Sequence, residues 1–440
     1  MPITRDEKLR RLGSYLNGIA PEGDLSELLT RKSFVVAEGR ESAVESSGLE
    51  LARTGLRQLQ DRREGSGLSD EQLLAIEAIV LRTERPAVLI QNNSYQTPPD
   101  PWGHFGRRDI RQQLQGVIPS VAMIQMPGHP RGPHGGTGFV VGPDLVMTNR
   151  HVAEQFASGL GRRCRMNGGQ RVRCEFRQEH ANPRTDPVLV DRVLMIHPHW
   201  DMALLRAPGV ASTHEPLKLS TENPEQLLGR DIAVIGYPAF DPRNDGTLQH
   251  QIFGGVYDVK RLQPGKLRAR ALQTDFYRNR VHVLTHDSST LGGNSGSAVI
   301  DVKTGHVVGL HFAGQYMVGN YAVPTWELAR DPHVTGLGVQ FAGQVARGAD
   351  WMAAWRSVES PGTIDSVPSG PPEAPPTSTP GTAPQDLSRV EPTSPALPLV
   401  VQTPEGLRWE FRVPLRITIQ LDGPAESAPI HDSPSDDGTK

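Results

Sequence analysis

Ser295 lies in Gly292-Gly-Asn-Ser-Gly-Ser297, an alcohol flanked by residues with small side chains or none. A serine hydroxyl attacks a carbonyl only when a base removes its proton, and the resulting tetrahedral intermediate needs backbone N–H groups aimed at its oxyanion. Glycines allow the tight turn that converges such donors, so Gly293 and Ser295 are the candidate oxyanion pair. Taken alone, such a string is an ordinary turn in most proteins. His151 follows Gly136-Thr-Gly-Phe-Val-Val-Gly and ends Asp144-Leu-Val-Met-Thr-Asn-Arg-His. That pattern delivers an imidazole at a strand end, exposed on one side and fixed on the other. Asp201 heads the apolar run Asp201-Met-Ala-Leu-Leu, where a carboxylate can hold the imidazole in one tautomer. With 15 histidines and 49 acidic residues in the chain, neither is informative singly. Their order and strand–turn settings carry the reading: base, orienting acid, nucleophile.

The elements that must position these residues change character along the chain. Residues 1 to about 85 show apolar residues at helical spacing. Thr4 and Glu7 form a capping box before Leu9, Leu12, Leu16 and Ile19. Asp24 with Glu27 starts a short helix, another falls between Glu41 and Leu59, and Ser69 with Gln72 opens a fourth carrying Leu73, Ile76 and Val80. Arg85-Pro86 ends it. From about 118 to 325, short β-branched runs separated by Gly, Pro, Asn and Asp predict an all-β barrel or sandwich. Eleven prolines between 361 and 398 mark a linker that cannot bury enough apolar surface to offset chain entropy. Beyond it, Leu407, Trp409, Phe411, Val413, Leu415, Ile417, Ile419 and Leu421 alternate with polar residues, the period of a strand. Leu399–Gln402 can pair with that strand across the turn at 403–406. Its apolar face must be covered, by the chain's own β domain or by a partner's sheet.

Composition removes several function classes. The net charge of −3 over 440 residues gives no broad basic surface for nucleic acid, and no run approaches the ~20 apolar residues of a membrane helix. Two cysteines exclude a disulfide scaffold and a four-thiolate zinc site. Cys164 and Cys174 bracket an expected hairpin with an Asn167-Gly-Gly turn and read as free thiols. Arg162, Arg163, Arg165, Arg171 and Arg173 concentrate charge there, as solvated edge protection or as a surface for an acidic partner. His197-Pro-His199 has metal-like spacing but reads as a surface loop, so neither metal nor cofactor is expected. The start, Met-Pro-Ile-Thr-Arg-Asp-Glu, lacks a secretory n-region and h-region, which predicts a cytoplasmic protein.

The strings Gly136-Thr-Gly-Phe-Val-Val, Thr148-Asn-Arg-His151-Val, Asp201-Met-Ala-Leu-Leu, Gly292-Gly-Asn-Ser295-Gly-Ser and Val308-Gly-Leu-His311-Phe together resemble the chymotrypsin-like serine peptidases. The closer likeness is to the bacterial branch that includes the staphylococcal glutamyl endopeptidase. The resemblance implies a mainly β chain with two antiparallel six-stranded barrels, His151 and Asp201 on the first and Ser295 on the second. It places Ser289, Thr290 and His311 around the primary substrate pocket. Ser289 occupies the position of the trypsin-type carboxylate, which disfavours Arg or Lys, while Thr290 and His311 match residues that bind acidic side chains. The family's further carboxylate partner is a free N-terminal amine, and here over a hundred residues precede the barrel. Asn294 stands where zymogen-type members carry an aspartate, so that activation switch is absent.

The expected layout is a helical adaptor at 1–90, similar to bacterial effector-associated domains, and a connector at 91–117. A peptidase domain at 118–350 follows, then a disordered linker at 357–398, a strand or hairpin at 399–421 and a disordered tail at 422–440. Function is expected to be regulated proteolysis of proteins or peptides, with a signalling or defence partner engaged through the helical domain or the terminal strand. Glu359, Glu373 and Glu391 in the linker are expected self-processing sites. The competing class is a binding scaffold that keeps the barrels but turns over little substrate.

Overall fold

The computed structural model describes residues 4–19, 50–58, 68–130, 132–242, 246–277, 279–290, 292–315, 319–348, 351–359, 399–403 and 406–410. Helix α1 (Arg5–Ile19), helical residues 50–58 and helix α2 (Asp70–Glu84) pack Leu12, Leu16, Ala52, Leu56, Leu68, Leu73 and Ile76 into one apolar cluster. Both expected starts form. The Glu7 amide donates to Thr4 Oγ1 at 3.3 Å. Ser69 and Gln72 close a reciprocal box, with Gln72 N to Ser69 Oγ at 3.1 Å and Ser69 N to Gln72 Oε1 at 2.9 Å. The short helix expected at Asp24 lies outside the described residues.

Strands β1 (Val88–Gln91) and β2 (Ser94–Tyr95) follow directly, and β1 pairs with a strand of the second barrel. Helix α3 (Arg108–Val117) comes next. The expected connector at 91–117 thus contains a strand and a helix, and the strand just before it pairs with the second barrel. A first sheet is built from β3 (Val121–Gln125), β4 (His134–Gly142), β5 (Leu145–Thr148), β8 (Arg173–Glu175), β9 (Pro187–Leu189), β10 (Arg192–Ile196) and β11 (Ala203–Arg206), in the order β10-β11-β5-β4-β3-β8-β9. The small pair β6 (Ala157–Ser158) and β7 (Arg165–Met166) stands apart from it.

The second sheet comprises β12 (Asp231–Gly236), β13 (Arg261–Phe276), β14 (Asn279–His286), β15 (Ala298–Asp301), β16 (Val307–Gln315) and β17 (Gly319–Pro324). Pairing of β12 with both β13 and β15 closes it into a six-stranded antiparallel barrel. The resemblance implied two closed barrels. Among the described residues, the first sheet curls as a half-barrel, with no pairing that joins its outer strands.

Period-two alternation explains why these strands read as continuous apolar runs. In β3, Ala122 and Ile124 point into the first barrel with Val140, Val146 and Leu205. Val121 and Met123 turn to the interface between barrels, where Phe139, Met147 and Leu204 meet Ala233, Ile235, Ala298, Ile300 and Leu310. Ile232, Val234, Leu284 and Val299 fill the closed barrel. Lys260 is also buried between the barrels, its Nζ donating to the carbonyls of Ile118 at 2.9 Å and Phe176 at 2.8 Å. Burial pushes its ammonium down to about 7.

Five further helices complete this unit among the described residues. Helix α4 (Arg150–Ala153) carries His151, and α5 (Gly246–Phe253) packs Leu248 and Phe253 with Leu74 of α2. After α6 (Thr325–Ala329) and α7 (Pro332–Thr335), helix α8 (Met352–Glu359) seats Trp355 in the core. Residues 357–359 are thus helical rather than linker, and Glu359 is not in an open segment. The hairpin expected around Asn167 is absent as well. Residues 165–166 pair with 157–158, while 173–175 pair with β3 and β9, so Cys164 and Cys174 do not oppose each other. Both are free thiols. In the C-terminal unit, β18 (Leu399–Thr403) pairs antiparallel with β19 (Gly406–Glu410), the expected hairpin; residues 411–421 lie outside the described residues.

Candidate active site

Asp201 and His151 meet at hydrogen-bonding distance. His151 Nδ1–H donates to Asp201 Oδ2 at 2.6 Å, and the His151 amide donates to Oδ1 at 2.9 Å. The Asn149 side chain donates to the Asp201 carbonyl at 2.8 Å, which ties the turn after β10 to the turn after β5. Asp201 is buried, whereas the imidazole is 37% exposed, leaving Nε2 on the open side. Burial works against protonation of His151, but the Asp201 charge and hydrogen bond outweigh it and raise the imidazole above its ordinary value.

The backbone of Ser295 is held by the start of β4. The Thr137 amide donates to the Ser295 carbonyl at 2.8 Å. Gly136 separates that carbonyl from Val152, the residue after His151; a Cβ on Gly136 would lie 3.0 Å from the former and 2.8 Å from the latter's Cγ2. Thr137 also donates its hydroxyl to the Gly293 carbonyl at 2.8 Å and accepts from the Tyr237 amide at 3.2 Å. One threonine of the first sheet therefore clamps both ends of the serine loop. Gly293 has φ +83°, and a Cβ there would stand 2.3 Å from the Tyr237 carbonyl, so this position requires glycine twice over. The Gly292 carbonyl is pinned by the Ala239 amide at 2.6 Å, fixing the peptide that carries the Gly293 N–H.

Asn294 is fully buried and pairs its amide with that of Gln263, Nε2 to Oδ1 at 3.0 Å. An aspartate here would place a charge in this neutral pair. Arg150, next to His151 in the chain, stacks on Tyr277 from the turn between β13 and β14. The guanidinium sits 3.7 Å from the Tyr277 ring centroid, and the tyrosine hydroxyl donates to Glu154 Oε2 at 3.3 Å.

The three expected pocket residues all lie in the second sheet or the loop after β14, Ser289 and Thr290 in that loop and His311 in β16. Thr290 Oγ1 donates to Asn320 Oδ1 at 2.6 Å, Asn320 Nδ2 donates to the Ser288 carbonyl at 2.6 Å, and Ser289 lies buried beside them in the chain. His311 Nδ1 stands 3.1 Å from His286 Nε2, both rings buried. Burial pushes His286 down to about 3, helped by the charge of Arg85, and holds His311 well below its ordinary value. Sequence reasoning missed Thr137 as a clamp, and also His286, Asn320, Arg85 and Tyr277. His197 and His199 do not act as a ligand pair, because both His197 ring nitrogens are engaged, Nε2 with Asp331 at 3.0 Å and Nδ1 with the amides of His199 and Trp200.

Residues 136–310 match the family described as "Trypsin-like peptidase domain". With the closed barrel and the half-barrel, this match gives the chain a trypsin-like peptidase domain of chymotrypsin-like fold, a serine endopeptidase by class. Among individual proteins it is similar to the glutamyl endopeptidase of Staphylococcus epidermidis, 27% identical over 236 residues that cover 52% of this chain and 67% of that one. The glutamyl endopeptidase of Staphylococcus aureus is 25% identical over 249 residues, covering 52% and 54%. Of solved structures, the Rv3671c protease of M. tuberculosis in its active form shares 24% identity, covers 53% of this chain and 88% of that chain, and has a TM-score of 0.36. No helix among the described residues is long and apolar enough to cross a membrane.

Proposed function

We propose that Ser295, His151 and Asp201 form the catalytic triad of a regulated endopeptidase that prefers acidic residues before the scissile bond. Ser295 Oγ attacks the carbonyl carbon as His151 Nε2 takes its proton. The oxyanion is held by the Gly293 and Ser295 amides. His151 returns the proton to the departing amine, and water then cleaves the acyl-enzyme by the same route in reverse. Asp201 stays ionised and stabilises the imidazolium. The observation that carries this reading is the His151 Nδ1–Asp201 Oδ2 bond of 2.6 Å, which leaves Nε2 as the ring nitrogen that can act as the base.

The acidic preference rests on His311, Thr290 and the charge behind them. Both histidines are neutral, so one must donate to the other. With His286 Nε2–H donating to His311 Nδ1, His311 retains an Nε2–H for a substrate carboxylate, and Arg85, buried near His286, supplies positive field where the relatives are expected to use an N-terminal amine. Ser289 in place of an acid leaves nothing to attract Arg or Lys. We assign control to the helical N-terminal region and the C-terminal hairpin, as in an intracellular effector protease whose partner binds one of them. The packing of α2 on α5 supports the first route, because α5 follows the segment whose Ala239 amide holds Gly292.

Proteomic profiling of cleavage sites, with Ser295→Ala as the control, tests this function. Cuts after Glu or Asp are expected to dominate, and incubated protein should shed its C-terminal segment after Glu373 or Glu391. Cuts confined to apolar or basic positions would reject the acidic preference while leaving the triad intact.

A further inference from the structure

Asp331 is fully buried and collects four hydrogen bonds. Oδ2 accepts from His197 Nε2 at 3.0 Å and Trp355 Nε1 at 2.7 Å; Oδ1 accepts from the His333 amide at 2.8 Å and His333 Nδ1 at 3.0 Å. Part of this is capping, since Asp331 starts α7. The bond to His197 goes further, because it fixes that ring's tautomer. With Nε2–H directed at the carboxylate, Nδ1 is a bare acceptor, and it takes the amides of both His199 and Trp200 at 3.0 Å. Those two residues immediately precede Asp201, and the His197 amide closes the same turn on the Met202 carbonyl at 2.8 Å. His197 is itself fully buried, and burial keeps it neutral.

Helix α8 forms the outer wall of this arrangement. Trp355 meets the His197 ring edge-on at 5.1 Å and stacks on His333 at 4.0 Å, and Trp351 packs near Trp200 at 6.4 Å. The helix end is tied to the first sheet's loop by Arg163, which donates to the Glu359 carbonyl at 2.8 Å. Nothing in the chemistry of the three-residue site requires these groups.

We propose that Trp355, Asp331 and His197 are positioning residues that set the orientation of the Asp201 carboxylate, so that seating of helix α8 tunes the reactivity of His151. The proposal rests on the triad reading. A displacement of an orienting group by about 1 Å is enough to cost ~100-fold in rate, and this turn has its two amides before Asp201 anchored only through one imidazole.

Trp355→Phe keeps an aromatic ring but removes the pyrrole half of the indole together with its N–H donor; His197→Asn shortens the side chain so that it cannot span Asp331 and the two amides. Each variant is expected to lower kcat about 10- to 100-fold with KM within about twofold, and to move the acid limb of kcat/KM toward the ordinary imidazole value. Combined with Asp201→Asn, neither should reduce kcat further, because the group it positions is already lost. If both variants lose thermal stability but keep kcat and the pH profile, the network is structural only and the proposal is wrong. If Asp201→Asn itself leaves kcat unchanged, the fault lies in the triad reading instead. Should Trp355→Phe fail to fold, His197→Asn decides on the same criteria.

Discussion

Ser295→Ala is expected to reduce peptide hydrolysis by about 10^6-fold in kcat with little change in KM. In the proposed mechanism the alcohol oxygen forms the acyl bond, and no neighbouring group of the loop can replace it: Ser297 is fully buried, its hydroxyl 3.4 Å from Asn294 Oδ1, and a Cβ on Gly236 would collide with it. The fold should survive, because the contacts that hold residue 295 are made by its backbone carbonyl with Thr137. His151→Ala is expected to cost about as much, and the double variant no more than either alone, since the two act as a unit. Steady-state kinetics on a short acidic peptide checks this. Additive losses would mean that the two residues serve separate steps.

Asp201→Asn is expected to lower kcat about 10^4-fold while preserving the packing. An asparagine amide can present its N–H to His151 Nδ1, which forces the proton onto Nε2 and removes the base from the side of Ser295. The same pair fixes the pH dependence. Asp201 raises the His151 pKa above 6.5, against the opposing effect of burial. Neutral imidazole is the active form, so activity is retained above that raised value and falls as pH drops through it. In Asp201→Asn the acid limb should shift to lower pH. A limb that stays in place would assign the titration to another group, and the buried His286 and His311, held well below ordinary values, could not supply one near neutrality.

Much of the site was legible because its residues sit in strings whose local geometry is itself diagnostic. The Gly292–Ser297 turn needs its glycines for positive φ, and the turns carrying His151 and Asp201 follow apolar strands that period two identifies. The helix starts at Thr4 and Ser69 were equally readable, since each cap bond spans only three residues, although only the Ser69–Gln72 box closes in both directions. What escaped is set by tertiary contact. Thr137 is one of several similar hydroxyl residues until β4 meets the serine loop. His286 becomes a partner of His311 only through pairing of β14, β17 and β16. The hairpin expected around Asn167 failed because turn chemistry gave the bend but not the partners, and β8 found its register with β3 and β9. The start of the linker at 357 was misplaced for a related reason: Trp355 finds a buried acceptor in Asp331, and that bond extends order to Glu359.

The most direct measurement is covalent labelling with a fluorophosphonate followed by mass-spectrometric mapping of the adduct. The account predicts one modified residue, Ser295, with labelling abolished in Ser295→Ala and slowed by orders of magnitude in His151→Ala. An adduct mapped elsewhere, or labelling undiminished without the Ser295 hydroxyl, would contradict it.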